Sequence, residues 1–186
     1  VPANGPITIQ QLLTHTAGLA NGNRGIAQQE YAKAMAEFPL HETDHDRMRR
    51  LAKLPLSFHP GEHWEYTLGT SVLGVMVQEI SGMTLDEFFR ERIFKPLGMT
   101  DTHYFLPESK LNRFAALYTL NDDNKIQLAE APTAESRWVR GPRVQFRGAG
   151  GLITSPRDYF RFQQMMLNGG ELDGARLLSR KTVELM

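Results

Sequence analysis

The sequence of 186 residues contains no cysteine. That absence excludes a disulfide framework, a thiol nucleophile and a cysteine-ligated metal, and it leaves the redox compartment open. Net charge is absent too, because 21 lysines and arginines balance 21 aspartates and glutamates. With no overall field to attract nucleic acid or an anionic membrane, the composition favours a small molecule as the partner.

Long hydrophobic runs are also lacking. No apolar stretch approaches the roughly 20 residues that span a bilayer, and the N-terminus has no signal-peptide pattern. The sequence predicts no transmembrane segment and leaves the localisation unknown. Its 41% apolar and 23% charged residues supply enough material for a folded core. Because it starts at Val1 and stops at Met186, we expect an excerpt of a longer chain.

A Ser-x-x-Lys pair, in which a lysine helps to activate a serine nucleophile, is missing as well. None of the six lysines has a serine three residues before it: Lys33, Lys53, Lys95, Lys110, Lys125 and Lys181. The chain alone therefore lacks that nucleophile.

Apolar spacing and capping residues predict a mainly helical chain. Helices are expected after Thr8, over 26–38, over 44–54, over 72–80, after Thr84, after Ser155 and after Ser179. The helix over 72–80 is apolar nearly all round, so we expect it to lie deep, and Gly82 closes it. Residues 114–120 and 125–128 flank a turn and predict a hairpin, and 131–151 reads as a loop.

The segment His41-Glu42-Thr43-Asp44-His45 matches the H-E-x-x-H zinc pattern. That pattern requires a largely apolar helix, whereas this segment follows Pro39 and precedes Asp46 and three arginines. We therefore expect no metal and no cofactor, and we interpret the segment as a polar helix start capped by Thr43 or Asp44. If zinc were bound, Glu62 or Glu65 would be the candidate third ligand.

Arg137, Arg140, Arg143 and Arg147 form a basic cluster with nearby aromatic residues. Such clusters suggest nucleic-acid or anion binding. Since the chain is neutral overall, we instead expect a rim loop of an active site or solvated arginines, and no nucleic-acid partner.

The turn Pro60-Gly61 is followed by Trp64, Tyr66 and the apolar helix. An aromatic side chain there can simply anchor the start of the helix. It can also do chemistry, because a phenol with a neighbouring cation can act as a base near neutral pH. The local pattern leaves both interpretations open.

Four blocks in order carry a resemblance to a known family. They are Ile7 to Leu19, the segment from Pro60 to Thr67, the segment from Ile93 to Thr102, and Gly150-Gly151-Leu152-x-x-Ser155 with Leu167-Asn168-Gly169-Gly170. Across nearly its whole length the sequence resembles the beta-lactamase-related serine hydrolases, which include class C beta-lactamases, DD-peptidases and esterases.

The resemblance implies acyl transfer by a serine, a lysine three residues later and a tyrosine. Tyr66 falls at the tyrosine position and is the candidate general base or proton relay. The family's Ser-x-x-Lys motif lies upstream of the first block and its x-x-Gly strand lies downstream of the last, so we expect both outside this sequence. His15 is then expected to be a structural histidine at a helix end.

The residue two positions after Tyr66 is Leu68, where the lactamases and peptidases carry an asparagine amide. Leucine there resembles the esterase branch, which favours a small-molecule ester over a beta-lactam or a D-Ala-D-Ala peptide. The glycines of 148–151 indicate a close approach of backbone to substrate or to a neighbouring strand. Leu68, Gly148 and Gly150 are the candidate substrate-lining residues.

Together these features predict an α+β fragment of the penicillin-recognising fold, mainly helical and lacking most of the main sheet. We expect 1–186 to be the central part of one domain, truncated at both ends. The alternative is a non-catalytic binding or scaffold protein of the same fold, in which Tyr66 is only structural.

As a first prediction, residues 1–186 alone should not hydrolyse short aryl esters or a chromogenic cephalosporin, because the nucleophile is missing. The segment should also expose apolar surface and associate or unfold at low denaturant. Spectrophotometric assay and light scattering test this expectation. Turnover by the isolated segment, or a monodisperse monomer that unfolds cooperatively, would contradict it.

Overall fold

A computed structural model describes residues 2–20, 27–37, 41–141 and 143–186. Its helices are α1 Ile9–Leu13, α2 Gln28–Ala36, α3 Asp44–Leu51, α4 Gly69–Ser81, α5 Leu85–Phe89, α6 Arg137–Arg140, α7 Pro156–Leu167 and α8 Arg180–Leu185. A π-helical turn over Arg90–Phe94 follows α5, and a 3₁₀ segment covers Glu108–Arg113. The strands are β1 Leu117–Leu120, β2 Ile126–Glu130, β3 Glu171–Leu172 and β4 Ala175–Arg176.

The predicted helix starts at Thr8, Asp44, Thr84, Ser155 and Ser179 are confirmed, whereas α4 begins at Gly69, three residues before the predicted start. Thr8 and Gln11 form a capping box on α1, and Thr84 and Glu87 exchange the same pair of hydrogen bonds before α5. Serine side chains cap α7 and α8. The predicted ends at Ile26 and Phe38 lie outside the described residues. These caps form as expected because they depend only on residues three apart in sequence.

Strand content is small, as predicted. Strands β1 and β2 form an antiparallel hairpin whose turn is closed by Asn121, with its side-chain oxygen accepting from the N–H groups of Asp123 and Lys125. Strands β3 and β4 form a second antiparallel pair. The expected loop over 131–151 is wrong in one part, because Ser136 caps the short helix α6 there.

The chain divides into two compact units. The first unit comprises residues 1–88 and 144–151 and holds α1 to α4. Its core is formed by Ala20, Ala27, Tyr31 and Leu51, against which partly buried side chains of α2 and α3 pack. Helix α4 packs on α1 and α3 in the same unit.

Helix α4 does not lie as deep as its apolar sequence predicts. Only Gly69, Ser71 and Gly74 are buried, the side chains of 72–78 are otherwise half-buried, and Ile80 is 82% exposed. The helix is buried where it has small residues, because those allow backbone-to-backbone approach. Its large apolar side chains remain partly open to solvent.

Two glycines let the segment 144–151 press directly against α4. A Cβ atom on Gly148 would lie 2.2 Å from the carbonyl oxygen of Thr70, and one on Gly74 would lie 2.9 Å from the Gly148 backbone. The start of α3 holds the same segment from another side. The Asp44 carboxylate accepts from the Phe146 N–H at 2.6 Å, and the Gln145 amide donates to the Glu42 carbonyl at 2.7 Å.

The second unit comprises residues 89–143 and 152–186, with a core of Phe94, Leu97, Met99 and Met165. Buried Asp158 of α7 accepts from the Asp101 N–H at 2.6 Å and from the Thr102 hydroxyl at 2.8 Å. Hydrogen bonds from Arg113 and Lys110 hold the pKa of the Asp101 carboxyl well below its ordinary value. This polar network ties the segment after the π-helical turn to α7.

Within the part of the chain that the structure covers, no helix is both long and apolar enough to cross a bilayer.

Replacing Gly148 by alanine should destabilise the protein, because the new methyl group would overlap the Thr70 carbonyl. We expect the free energy of unfolding to fall by about 1–3 kcal/mol, the usual cost of overpacking. Chemical denaturation measures this. Gly5→Ala is the matched control, since a Cβ there meets nothing within 4 Å. Equal stability of the two variants would contradict the close approach.

Replacing Asp44 by alanine should also lower the free energy of unfolding, by about 1–3 kcal/mol, because the Phe146 N–H loses its acceptor. Asp44→Asn keeps a side-chain oxygen and should lose less. Asp122→Ala, in the exposed hairpin turn, should be neutral. Denaturation curves compare the three variants, and an Asp44→Asn loss as large as that of Asp44→Ala would contradict the hydrogen-bond explanation.

Candidate functional site

Tyr66 lies in an irregular segment just before α4, with 57% of its surface exposed. Backbone hydrogen bonds lay this segment along the residues that follow α1. The Gly61 N–H donates to the Thr16 carbonyl at 2.8 Å, and the Glu65 N–H donates to the His15 carbonyl at 3.0 Å. The ring of Tyr66 is therefore presented to solvent by a fixed backbone and does not lie within the helical layer.

His15 contacts this segment with its ring as well as its backbone. Its ring centroid lies 4.8 Å from that of Tyr66 and 6.2 Å from that of Trp64, to which it packs edge-on. One imidazole ring therefore contacts both aromatic side chains. The His15 Nδ1 accepts from the Thr67 N–H at 3.4 Å. His15 follows α1, which fits a structural role at a helix end.

Thr67 and Gly69 position the start of α4, and sequence reasoning did not single them out as site residues. Buried Thr67 accepts from the Gly69 N–H through its hydroxyl at 3.3 Å. A Cβ on Gly69 would lie 2.6 Å from the Leu12 carbonyl oxygen, so only glycine fits against α1. The N-cap residue of α4 is Leu68, which makes no side-chain cap, so the Thr67 hydroxyl stabilises the turn that leads into the helix.

Leu68 packs as a half-buried side chain against the core cluster of the first unit. An apolar residue at this position therefore has a packing role of its own. Its predicted place beside the substrate stays a prediction.

The two candidate glycines differ in their surroundings. Gly148 contacts helix α4. The sequence had suggested a close approach to a substrate or to a neighbouring strand, and the contact with α4 takes the place of the strand. Gly150 is exposed, and a Cβ there would meet nothing within 4 Å. Their approach to a substrate stays a prediction.

The H-E-x-x-H match does not form the helical geometry of a zinc site. Helix α3 begins at Asp44, with the Thr43 hydroxyl accepting from the Asp46 N–H, so the two histidines do not lie one helical turn apart. The expected cap by Thr43 is confirmed. Among the residues described, no group of three or more potential metal ligands comes together.

The polar side chains of this segment have protein partners instead. Buried Glu42 accepts two hydrogen bonds from Arg50, at 2.7 and 2.8 Å, and these lower the pKa of its carboxyl. His45 lies 2.6 Å from the carboxylate of Glu79 on α4. Of the two suggested third ligands, Glu62 accepts from the His59 N–H at 3.2 Å. The segment connects α3 to its neighbours.

The arginine cluster contributes two ion pairs to the second unit. Arg137 pairs with Glu130 at 3.2 Å and lies over the Trp138 ring at 4.9 Å, and Arg140 pairs with Glu135. Both arginines are on α6 and are solvent-exposed at their side chains. Pairing with carboxylates reduces the free positive charge that an anion would find there.

Comparison with known proteins connects this geometry to a family. Lovastatin esterase of Penicillium rubens is 32% identical over 92% of this chain, and esterase EstB of Burkholderia gladioli is 32% identical over 83%. A solved mutant of simvastatin synthase from Aspergillus terreus superposes with a TM-score of 0.76 at 29% identity, over 99% of this chain and 41% of its own. These similarities confirm the predicted fold class, the mainly helical part of the penicillin-recognising fold.

The chain spans only part of these relatives, 42% of the lovastatin esterase and 43% of EstB. The family model for beta-lactamase matches residues 1–186, which is the whole of the sequence. The resemblance carried by the four sequence blocks is thereby confirmed, and this chain belongs to the beta-lactamase family.

Proposed function

We propose that this chain is the tyrosine-bearing, central part of one serine hydrolase domain that cleaves carboxylic esters through an acyl-enzyme. The observation that carries the proposal is the presentation of Tyr66. The residue is 57% exposed, at the family's tyrosine position, and His15 holds the backbone on both sides of it. A general base must be both accessible to the reacting atoms and fixed in place.

In the proposed reaction the serine and lysine come from sequence other than these 186 residues. The serine hydroxyl attacks the ester carbonyl carbon and forms a C–O bond, while its proton passes to the Tyr66 phenolate. The tetrahedral intermediate then breaks its bond to the leaving alcohol, which takes the proton from Tyr66. Water attacks the acyl-enzyme in the same way and gives a proton to Tyr66. The C–O bond to the serine then breaks, Tyr66 returns that proton to the serine oxygen, and the acid leaves.

Leu68 and the relatives support an ester as the substrate. Leucine offers no hydrogen-bond donor for the carbonyl of a lactam or peptide, and here its side chain is used in the core. Two of the relatives are named as esterases. The competing substrates for the same acyl-enzyme reaction are a beta-lactam and a D-Ala-D-Ala peptide.

Tyr66→Phe in the full-length protein should lower kcat for a p-nitrophenyl ester by about 100- to 10,000-fold, because the proton acceptor is lost. The fold should be unchanged, since the ring remains. Steady-state kinetics measure the effect, with a chromogenic cephalosporin assayed in parallel.

Tyr118→Phe is the matched control, because Tyr118 is similarly exposed, at 60%, on the hairpin. It should retain the wild-type kcat. Full activity of Tyr66→Phe would overturn the assignment of Tyr66. A full-length protein that has no Ser-x-x-Lys and hydrolyses no ester would favour the non-catalytic binding protein instead.

A further inference from the structure

We propose that His15 is a positioning residue for Tyr66, holding the phenol in the orientation that proton transfer requires. This inference rests on the proposed function, because it assigns the histidine a role in the same reaction. It goes beyond a structural role at a helix end, since it predicts that the histidine affects catalysis through one particular side chain.

His15 forms hydrogen bonds with the residues immediately before and after Tyr66 in the chain. The His15 carbonyl accepts from residue 65 at 3.0 Å, and its Nδ1 accepts from residue 67 at 3.4 Å. Between these two hydrogen bonds, the imidazole lies against the phenol ring with centroids 4.8 Å apart and planes at 41°. One residue thus constrains the backbone on each side of Tyr66 and one side of its ring.

The hydrogen bond to Thr67 fixes how the imidazole ring is turned. A ring nitrogen that accepts a hydrogen bond points at its donor, so Nδ1 is directed at the Thr67 N–H. Nδ1 then contacts the backbone of Thr67, and His15 affects Tyr66 through this neighbouring residue. This arrangement makes His15 a support for the phenol and does not require it to exchange protons with the substrate.

The backbone of His15 explains which substitutions can test the role. Its φ is +56°, in the left-handed region, where glycine and asparagine are readily accommodated and alanine is strained. Glycine therefore keeps the backbone path while removing the ring and the acceptor. Asparagine also accommodates this φ and carries a side-chain oxygen that can accept from the Thr67 N–H.

The test measures kcat, KM and thermal unfolding of full-length His15→Gly and His15→Asn with a p-nitrophenyl ester. Small displacements of a catalytic group cost up to about 100-fold in rate, so we expect kcat of His15→Gly to fall by about 10- to 100-fold with a smaller change in KM. His15→Asn should recover part of this loss. His41→Gly, at an exposed histidine, should keep the wild-type kcat.

A double-mutant cycle separates positioning from general destabilisation. If His15 acts through Tyr66, each His15 substitution should change kcat little in a Tyr66→Phe background. The His15→Asn cycle provides this comparison even where His15→Gly does not fold. A kcat loss of the same factor in both backgrounds, or a wild-type kcat in folded His15→Gly, would overturn the proposal.

The outcomes for the two proposals are distinguishable. Loss of activity in Tyr66→Phe with full activity in His15→Gly removes the role of His15 alone. Absence of ester hydrolysis in the wild type, or full activity of Tyr66→Phe, removes both.

Discussion

The arrangement of the first unit depends on close backbone contact around helix α4. Gly69 meets the Leu12 carbonyl of α1, and Gly74 meets the backbone of Gly148. A side chain at either position would force the elements apart, since a Cβ would lie 2.6 to 2.9 Å from the opposing backbone atoms. The start of α4 is thereby fixed against the end of α1, and the segment carrying Tyr66 enters the helix at that point.

Polar contacts further stabilise the elements that pack closely at these glycines. Asp44 and Glu42 hold the segment 144–151, Arg50 engages Glu42, and His45 reaches Glu79 on α4. The segment 41–45, whose sequence matches a zinc motif, thus connects α3 to helix α4 and to the segment 144–151. The difference comes from where the helix begins, because a helix that starts at Asp44 cannot place His41 and His45 on one face.

The exposed apolar surface fits a chain that spans only part of its relatives. Ile80 near the end of α4 is 82% exposed, and both faces of the β1–β2 hairpin present large apolar side chains, including Ile126 at 76% exposure. Trp64 and Tyr66 are exposed on the segment before α4. Among the described residues, each unit buries a core of its own, around Tyr31 and Leu51 in the first and around Leu97 and Met165 in the second.

The sequence by itself determined the local elements: the capping boxes at Thr8 and Thr84, the serine caps of α7 and α8, and the hairpin turn at Asn121. These depend on residues three or four apart, so the pattern contains all the information needed. The order of four motifs was likewise enough to identify the family.

Tertiary structure alone decided the rest. The contact of His15 with Tyr66 joins residues 51 positions apart, and the contact of Gly148 with α4 joins residues still further apart, so no local pattern encodes either. The apolar sequence of helix α4 predicted deep burial. Hydrophobicity shows only that a side chain can be buried, whereas the burial it reaches depends on which elements pack against it. For the same reason, only the fold could show that the H-E-x-x-H segment is held by Arg50, Phe146 and Glu79.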